Sequence, residues 1–194
     1  MILYILKGAE QVKILLHACC APCSIKCIDV LKKNNFEITA FWYNPNIHPC
    51  VEYKSRKNTL IDYCYKQNIE VIVKDNYGLR EFICNIYPDF GLSRCKICYK
   101  KRIEEAAKHA SELGYDSFST TLLISPYQNH NMLIEICEEM SEKYSVGFTY
   151  IDFRPYFREG QKLARDMGLY MQKYCGCIFS EEERYTLKNS LNKN

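Results

Sequence analysis

The strongest constraint on this chain is an alternation. Short apolar runs of strand composition recur along it, each followed by a longer stretch with helical spacing. Strands are expected at KILLHA (13–18), EITAFWY (37–43), EVIVKD (70–75), SFSTTLLIS (117–125) and GFTYIDF (147–153). EITAFWY is apolar almost throughout, the pattern of a strand covered on both faces inside a parallel sheet. The spacing predicts helices over 24–34, 49–68, 79–87, 95–114, 131–144 and 159–170, with a turn-rich loop at 88–94. In 95–114, Ile103, Ala106, Ala107, Ala110 and Leu113 share one face, and Gly114 is placed to end the helix. Strands alternating with helices predict an α/β fold: a parallel, doubly wound, Rossmann-like sheet with right-handed crossovers. Ligands of such sheets sit beyond the carboxyl ends of the strands, near the point where strand order reverses. The 194 residues are read as one domain over 1–187, with a frayed polar tail at 188–194.

The first expected strand runs directly into LLHACCAPCSIKC, which places Cys19, Cys20, Cys23 and Cys27 in nine positions. Twelve cysteines occur in all. No apolar run approaches the ~18 residues that a membrane span needs. The opening MILYILKGAEQ has neither a basic lead nor a small-residue cleavage site, so no signal peptide or membrane association is expected. The expected compartment is the cytoplasm, where structural disulfides rarely persist, and so many thiols there point to metal or redox chemistry. The net charge of +3 and pI of about 8.2 permit nucleic-acid binding without demanding it.

Three cysteine clusters stand out: Cys19-Cys20-x-x-Cys23 after the first strand, Cys95-x-x-Cys98 opening a long helix, and Cys175-x-Cys177 after the last expected helix. A Cys-x-x-Cys at a helix N-terminus suits metal binding, because backbone N–H groups and the helix dipole favour thiolate there. Two such pairs supply the four thiolates of a zinc site or a [4Fe–4S] cluster. Cys175 and Cys177 would close a tight ring if oxidised, with Gly176 giving the backbone freedom it needs. A strained disulfide is easily reduced, which suits a redox relay; metal ligation by the pair is the alternative. Cys64, Cys137 and Cys27 lie on apolar helix faces and are read as core. Cys50 and Cys84 receive no place.

The stretches LLHACCAPCS, FWYNPNIH, RCKICYKKRIEEAA, STTLLISPYQN, DFRPYFREG and YCGCIFS together resemble the cobalamin-independent epoxyqueuosine reductases. The resemblance runs from about residue 13 to 185, with the motifs in order and no motif cysteine missing. It implies a nucleotide α-hydrolase-like fold, an iron–sulfur cluster, and reduction of the epoxide of epoxyqueuosine in tRNA to the alkene of queuosine. By this resemblance Cys19, Cys20, Cys95 and Cys98 match the cluster-binding positions, and Cys175 and Cys177 match a redox-active pair.

Converting an epoxide to an alkene consumes two electrons and two protons and releases water. A cluster delivers electrons singly, whereas a dithiol holds two. Either Cys175 and Cys177 reduce the substrate and the cluster reloads them, or the cluster acts on the oxygen directly; an external low-potential donor is required in both cases. An additional mononuclear metal could serve as a Lewis acid, with Cys23, Asp152 and the Cys175/Cys177 pair as candidate ligands. His17, Tyr127 and His130 are candidate proton donors, as is metal-bound water, and His17 equally suits a histidine that steadies the loop. His48 suits either the pocket mouth or a turn.

A tRNA substrate calls for phosphate contacts. Arg94, Lys100, Lys101 and Arg102 surround the second cysteine pair; Lys54, Arg56 and Lys57 follow strand two; Arg154 and Arg158 follow strand five. A solvated helix face is the plainer account of each group. Tyr43, Trp42 or Tyr156 could stack on the modified base, with Trp42 better suited to the core. Competing functions are a thioredoxin-like thiol–disulfide oxidoreductase, a zinc-bearing tRNA-binding or tRNA-thiolating protein, and a structural zinc module. The glycine-free HACCAPCS after strand one counts against ATP binding.

Overall fold

A computed structural model describes residues 11–88, 90 and 93–187. The tail expected at 188–194, the first ten residues and parts of the 88–94 loop lie outside the described residues. Five strands form one parallel sheet: β1 (Val12–His17), β2 (Phe36–Trp42), β3 (Glu70–Val73), β4 (Ser117–Thr120) and β5 (Gly147–Phe148). Seven α-helices accompany them among the described residues: α1 (Ala21–Lys33), α2 (Cys50–Lys66), α3 (Leu79–Ile86), α4 (Ser93–Glu112), α5 (His130–Tyr144), α6 (Phe157–Asp166) and α7 (Ile178–Glu182).

The strand order is β3-β2-β1-β4-β5. The chain winds outward from β1 to β3, then returns to lay β4 against the other side of β1. The reversal therefore falls between β1 and β4, where Leu16 is in register with Ser119 and His17 with Thr120. The central strand is covered on both faces: Ile14, Leu15 and Leu16 have no exposed surface. Truncating Leu15 to alanine is worth about 2–5 kcal/mol at such a position. Trp42 is buried as expected, and its indole N–H donates to Tyr53 Oη at 3.1 Å.

Four departures from the sequence expectations have local causes. α1 starts three residues early, because Cys20 takes the N-cap position and Pro22 fits the first turn, where its missing N–H costs nothing. The strand expected over 117–125 ends at Thr120, whose hydroxyl accepts the Leu122 N–H at 3.2 Å and turns the chain into a 3₁₀ segment over Thr121–Ile124. The strand expected over 147–153 is reduced to Gly147–Phe148, paired with Ser117 and Phe118 of the four-residue β4. Leu113 is exposed, whereas Ile103, Ala106, Ala107 and Ala110 are buried. It lies past the end of α4, where Gly114 takes a φ of 73°.

Candidate metal and redox centre

The loop after β1 builds the first part of the site at the topological reversal. The Cys19 N–H donates to Thr121 Oγ1 at 3.1 Å, which ties the end of β1 to the turn that follows β4. The Thr121 hydroxyl in turn donates to Cys19 Sγ at 3.4 Å. Cys19 and Cys20 bring their sulfurs to 3.7 Å, and with Cys23 all three lie within 4.8 Å of one another. The carboxamide of Gln172 reaches over from beyond α6 and donates to Cys20 Sγ at 2.9 Å. Hydrogen bonds from Cys20, Cys23 and Thr121 hold Cys19 well below the usual thiol range, against its burial. Burial pushes Cys20 up, and the two neighbouring thiols push Cys23 up. A cation held among the three sulfurs would favour their thiolate forms.

A second thiol group comes from α4 and the segment before α7. Cys95 and Cys98 lie in the first two turns of α4, and Cys98 packs with Cys177, Phe82 and Ile86. Burial pushes Cys98 up to about 12 and raises Cys95, and both feel the charges of Cys175 and Cys177. Cys177 caps α7, its sulfur accepting the Ser180 N–H at 3.4 Å, whereas Cys175 is exposed and accepts from Gln128 Nε2 at 3.4 Å. That short helix, absent from the sequence expectations, means the third cluster opens a helix as well as following one.

Two buried arginines link the groups. Arg102 is 2% exposed, bonds the Cys98 carbonyl through Nε at 3.2 Å, and exerts its charge on Cys98, Cys175 and Cys19. Arg56, equally buried, donates through Nη1 to the Cys175 carbonyl at 2.9 Å and through Nη2 to the Tyr174 carbonyl at 3.0 Å. Its Nε donates to Glu52 at 2.6 Å. The next carbonyl, that of Gly176, accepts the His48 N–H at 2.7 Å, so the successive carbonyls of Tyr174, Cys175 and Gly176 are held. Gly176 has a φ of 136°, and a Cβ there would stand 3.2 Å from both Arg56 Nη1 and Ile47 Cγ1. Only glycine fits this turn.

The remaining sequence candidates fall in different places. His17 is fully buried, with Nε2 3.2 Å from the Tyr43 carbonyl and Nδ1 2.9 Å from Thr120 Oγ1. Burial and the Arg102 charge lower it to about 4, so it stays neutral and anchors the loop between β1, β2 and β4. Tyr43 is buried and its ring lies beneath the Lys74 ammonium. Arg94 pairs with Glu183 and donates to the Phe90 carbonyl. Asp152 is gripped through both carboxylate oxygens by Arg154, and the structure does not gather it with the thiols. His130 bonds Tyr150, His48 is buried, and Tyr127 is exposed. Lys57, Lys100 and Lys101 pair with Asp75, Glu139 and Glu81. Cys27, Cys64 and Cys137 are core, as expected; Cys50 is half-buried and Cys84 exposed. Sequence reasoning missed Gln172, Gln128, Thr121 and the Glu52–Arg56 clamp; only the four-residue spacing of Glu52 and Arg56 on one helix hinted at a pair.

Among the described residues no helix is long and apolar enough to cross a membrane. Two solved structures share the fold: a predicted tRNA methyltransferase subunit from Methanocaldococcus jannaschii (TM-score 0.56, 12% identity, 92% of this chain and 88% of that one) and the U34-tRNA thiolase NcsA of Methanococcus maripaludis with its [4Fe-4S] cluster (TM-score 0.51, 13% identity, 95% and 67%). At those identities they establish architecture alone, which is the parallel α/β sheet expected from the sequence. Sequence relatives are nearer. The chain is 34% identical over 178 residues to the epoxyqueuosine reductase QueH of Dehalococcoides mccartyi, covering 92% of this chain and 97% of that protein. It is 35% identical over 179 residues to that of Thermotoga maritima, covering 88% and 91%. The family model described as Epoxyqueuosine reductase QueH matches residues 14–183, which spans β1 through α7 and takes in all three cysteine clusters. The chain belongs to the epoxyqueuosine reductase QueH family.

Proposed function

We propose that this protein is an oxidoreductase of queuosine biosynthesis that reduces the epoxide of epoxyqueuosine in tRNA to the alkene of queuosine. The reaction takes two electrons from an external low-potential donor and two protons, and it releases the oxygen as water. The observation that carries this reading is the family match across the whole sheet, with Cys19, Cys20 and Cys23 within 4.8 Å of one another after β1 and Cys98 packed with Cys177. The expected setting is the cytoplasm, where tRNA is modified.

The donor set fits a [4Fe–4S] cluster held by Cys19, Cys20, Cys95 and Cys98: soft thiols, mostly buried, with the cationic Arg102 beside both groups to offset thiolate charge. When bound, the cluster supplies electrons one at a time. Cys175 and Cys177 form the dithiol that holds a pair, and the Arg56 grip keeps their turn in one conformation. Cys175, being exposed, is the thiol that meets the substrate. His17, held neutral, positions the Cys19 loop. A second reading gives Cys23 a metal-ligand role, because its sulfur lies within 4.8 Å of Cys19 and Cys20. For Asp152 to join such a site it must release Arg154.

Protein reconstituted anaerobically and supplied with a strong reductant should convert epoxyqueuosine in tRNA to queuosine without cobalamin or ATP, as read by nucleoside mass spectrometry. Activity should fall as salt rises, because phosphate contacts release counterions. Untouched epoxide with a fully loaded cluster would refute the reading.

A further inference from the structure

The exposed Cys175 is held at its backbone and at its sulfur, and the two holds come from different parts of the chain. Arg56 Nη1 donates to the Cys175 carbonyl at 2.9 Å. With the backbone held, rotation about Cα–Cβ decides where the sulfur points. The sulfur accepts Gln128 Nε2 at 3.4 Å. Gln128 lies in the loop between the Thr121–Ile124 turn and α5. That loop is fixed at each end. Ser125 Oγ accepts the Tyr127 N–H at 3.3 Å, and Asn129 caps α5, its Oδ1 accepting the Met132 N–H at 3.2 Å.

Tyr99, 2% exposed on α4 and next in sequence to Cys98, sets the direction of the Gln128 amide. The Asn129 N–H can only donate, and it donates to Tyr99 Oη at 3.3 Å. The Tyr99 hydroxyl in turn donates to Gln128 Oε1 at 2.5 Å. With its oxygen so engaged, the amide presents its NH₂ to Cys175. The Asn129 backbone already ties the loop to α4, so what the Gln128 side chain adds is its reach to the sulfur. Cys177 is drawn elsewhere: its sulfur accepts the Ser180 N–H at 3.4 Å at the start of α7.

We propose that Gln128, oriented by Tyr99, is a positioning residue that holds the Cys175 sulfur away from ring closure and keeps the Cys175/Cys177 pair as the open dithiol until substrate arrives. This deepens the epoxyqueuosine reductase reading and rests on it. Closing the ring takes two electrons and two protons from the two thiols, and the epoxide takes up both as it becomes the alkene and water. The bond from Gln128 is given up in that step, so removing it favours the disulfide.

The test compares reconstituted wild-type protein with Gln128→Met, which keeps the length of the side chain without its amide, and with Tyr99→Phe. Each is equilibrated anaerobically in glutathione buffers of stepped oxidised-to-reduced ratio, trapped by alkylation, and its Cys175–Cys177 disulfide counted by mass spectrometry. The kcat, KM, iron content and thermal midpoint are measured alongside. Gln128→Met should shift the equilibrium roughly 3- to 10-fold toward the disulfide and lower kcat by a similar factor, with KM, iron content and midpoint near those of the wild type. Tyr99→Phe leaves the amide in place but free to turn, and should shift the equilibrium the same way by less. An unshifted equilibrium in Gln128→Met, or a shift toward the dithiol, would overturn the proposal, as would a wild-type pair that closes in none of the buffers. Wild-type protein whose pair closes reversibly but which leaves the epoxide intact would instead overturn the functional reading, and the glutathione equilibrium would still decide the role of Gln128.

Discussion

Cysteines at the sheet edge and cysteines in the core are buried alike and surrounded differently. Cys20 and Cys98 are 1% and 8% exposed; Cys27, Cys64 and Cys137 are not exposed at all. Burial raises every one of these five thiols. At the edge, however, other groups pull the opposite way: Arg56 acts on Cys20, Arg102 acts on Cys98, and the Gln172 amide donates to Cys20. Around Cys137 the neighbouring charge is Glu138, which pushes the thiol further up. Burial alone therefore does not assign a thiol its role. Core Cys64 also feels a cation, Lys32, so it is neighbouring thiols together with donors and cations that mark the edge.

The largest effect should come from removing edge thiols. Alanine at Cys19, Cys20, Cys95 or Cys98 should abolish visible absorbance and reduce conversion roughly 10³-fold or more. Retention of full iron by all four variants would erase the distinction between the two regions. Cys175→Ser and Cys177→Ser come next. Each should keep the cluster spectrum yet turn over roughly 10²-fold more slowly, and the double variant should be no worse, since one thiol alone cannot close the ring. Loss of a separate metal by these variants, with the cluster intact, would recast the pair as ligands.

Arg56→Lys should have a smaller effect. Lysine keeps a charge opposite Glu52 but lacks the planar fork that grips two carbonyls, so turnover should fall about 10-fold with iron unchanged. Arg56→Met, by contrast, leaves Glu52 buried without its cation and should cost about 3–5 kcal/mol of stability in chemical denaturation. Wild-type turnover in the lysine variant would show that the clamp is structural only. The smallest effect belongs to the core: Cys137→Ala and Cys64→Ala should each cost about 1 kcal/mol and leave conversion and iron content unchanged.

The same contrast explains what was legible in the sequence. β1, β2 and β3 lie where their apolar runs place them, because the pattern of a doubly covered strand is local. β4 and β5 are shorter than expected because a threonine hydroxyl captures a backbone N–H two residues on and ends β4, and β5 pairs over two residues only, details that leave no mark on composition. The thiols could be read because cysteines cluster visibly in sequence. Their controlling neighbours could not. Gln172 lies 152 residues from Cys20, and Arg56 lies 119 residues from Cys175. Arg56, Arg94 and Arg102 look like a basic surface in sequence, yet Arg56 and Arg102 are buried and all three hold backbone or carboxylate. A charged residue next to a motif carries no sign of which way it faces.

Iron and acid-labile sulfide per chain, measured on anaerobically purified protein beside a Cys27/Cys64/Cys137 triple alanine variant, test the division between edge and core most directly. The account predicts roughly four iron and four sulfide per chain in both proteins. Zinc in place of iron, absence of sulfide, or loss of iron in the core variant with its fold intact would contradict it.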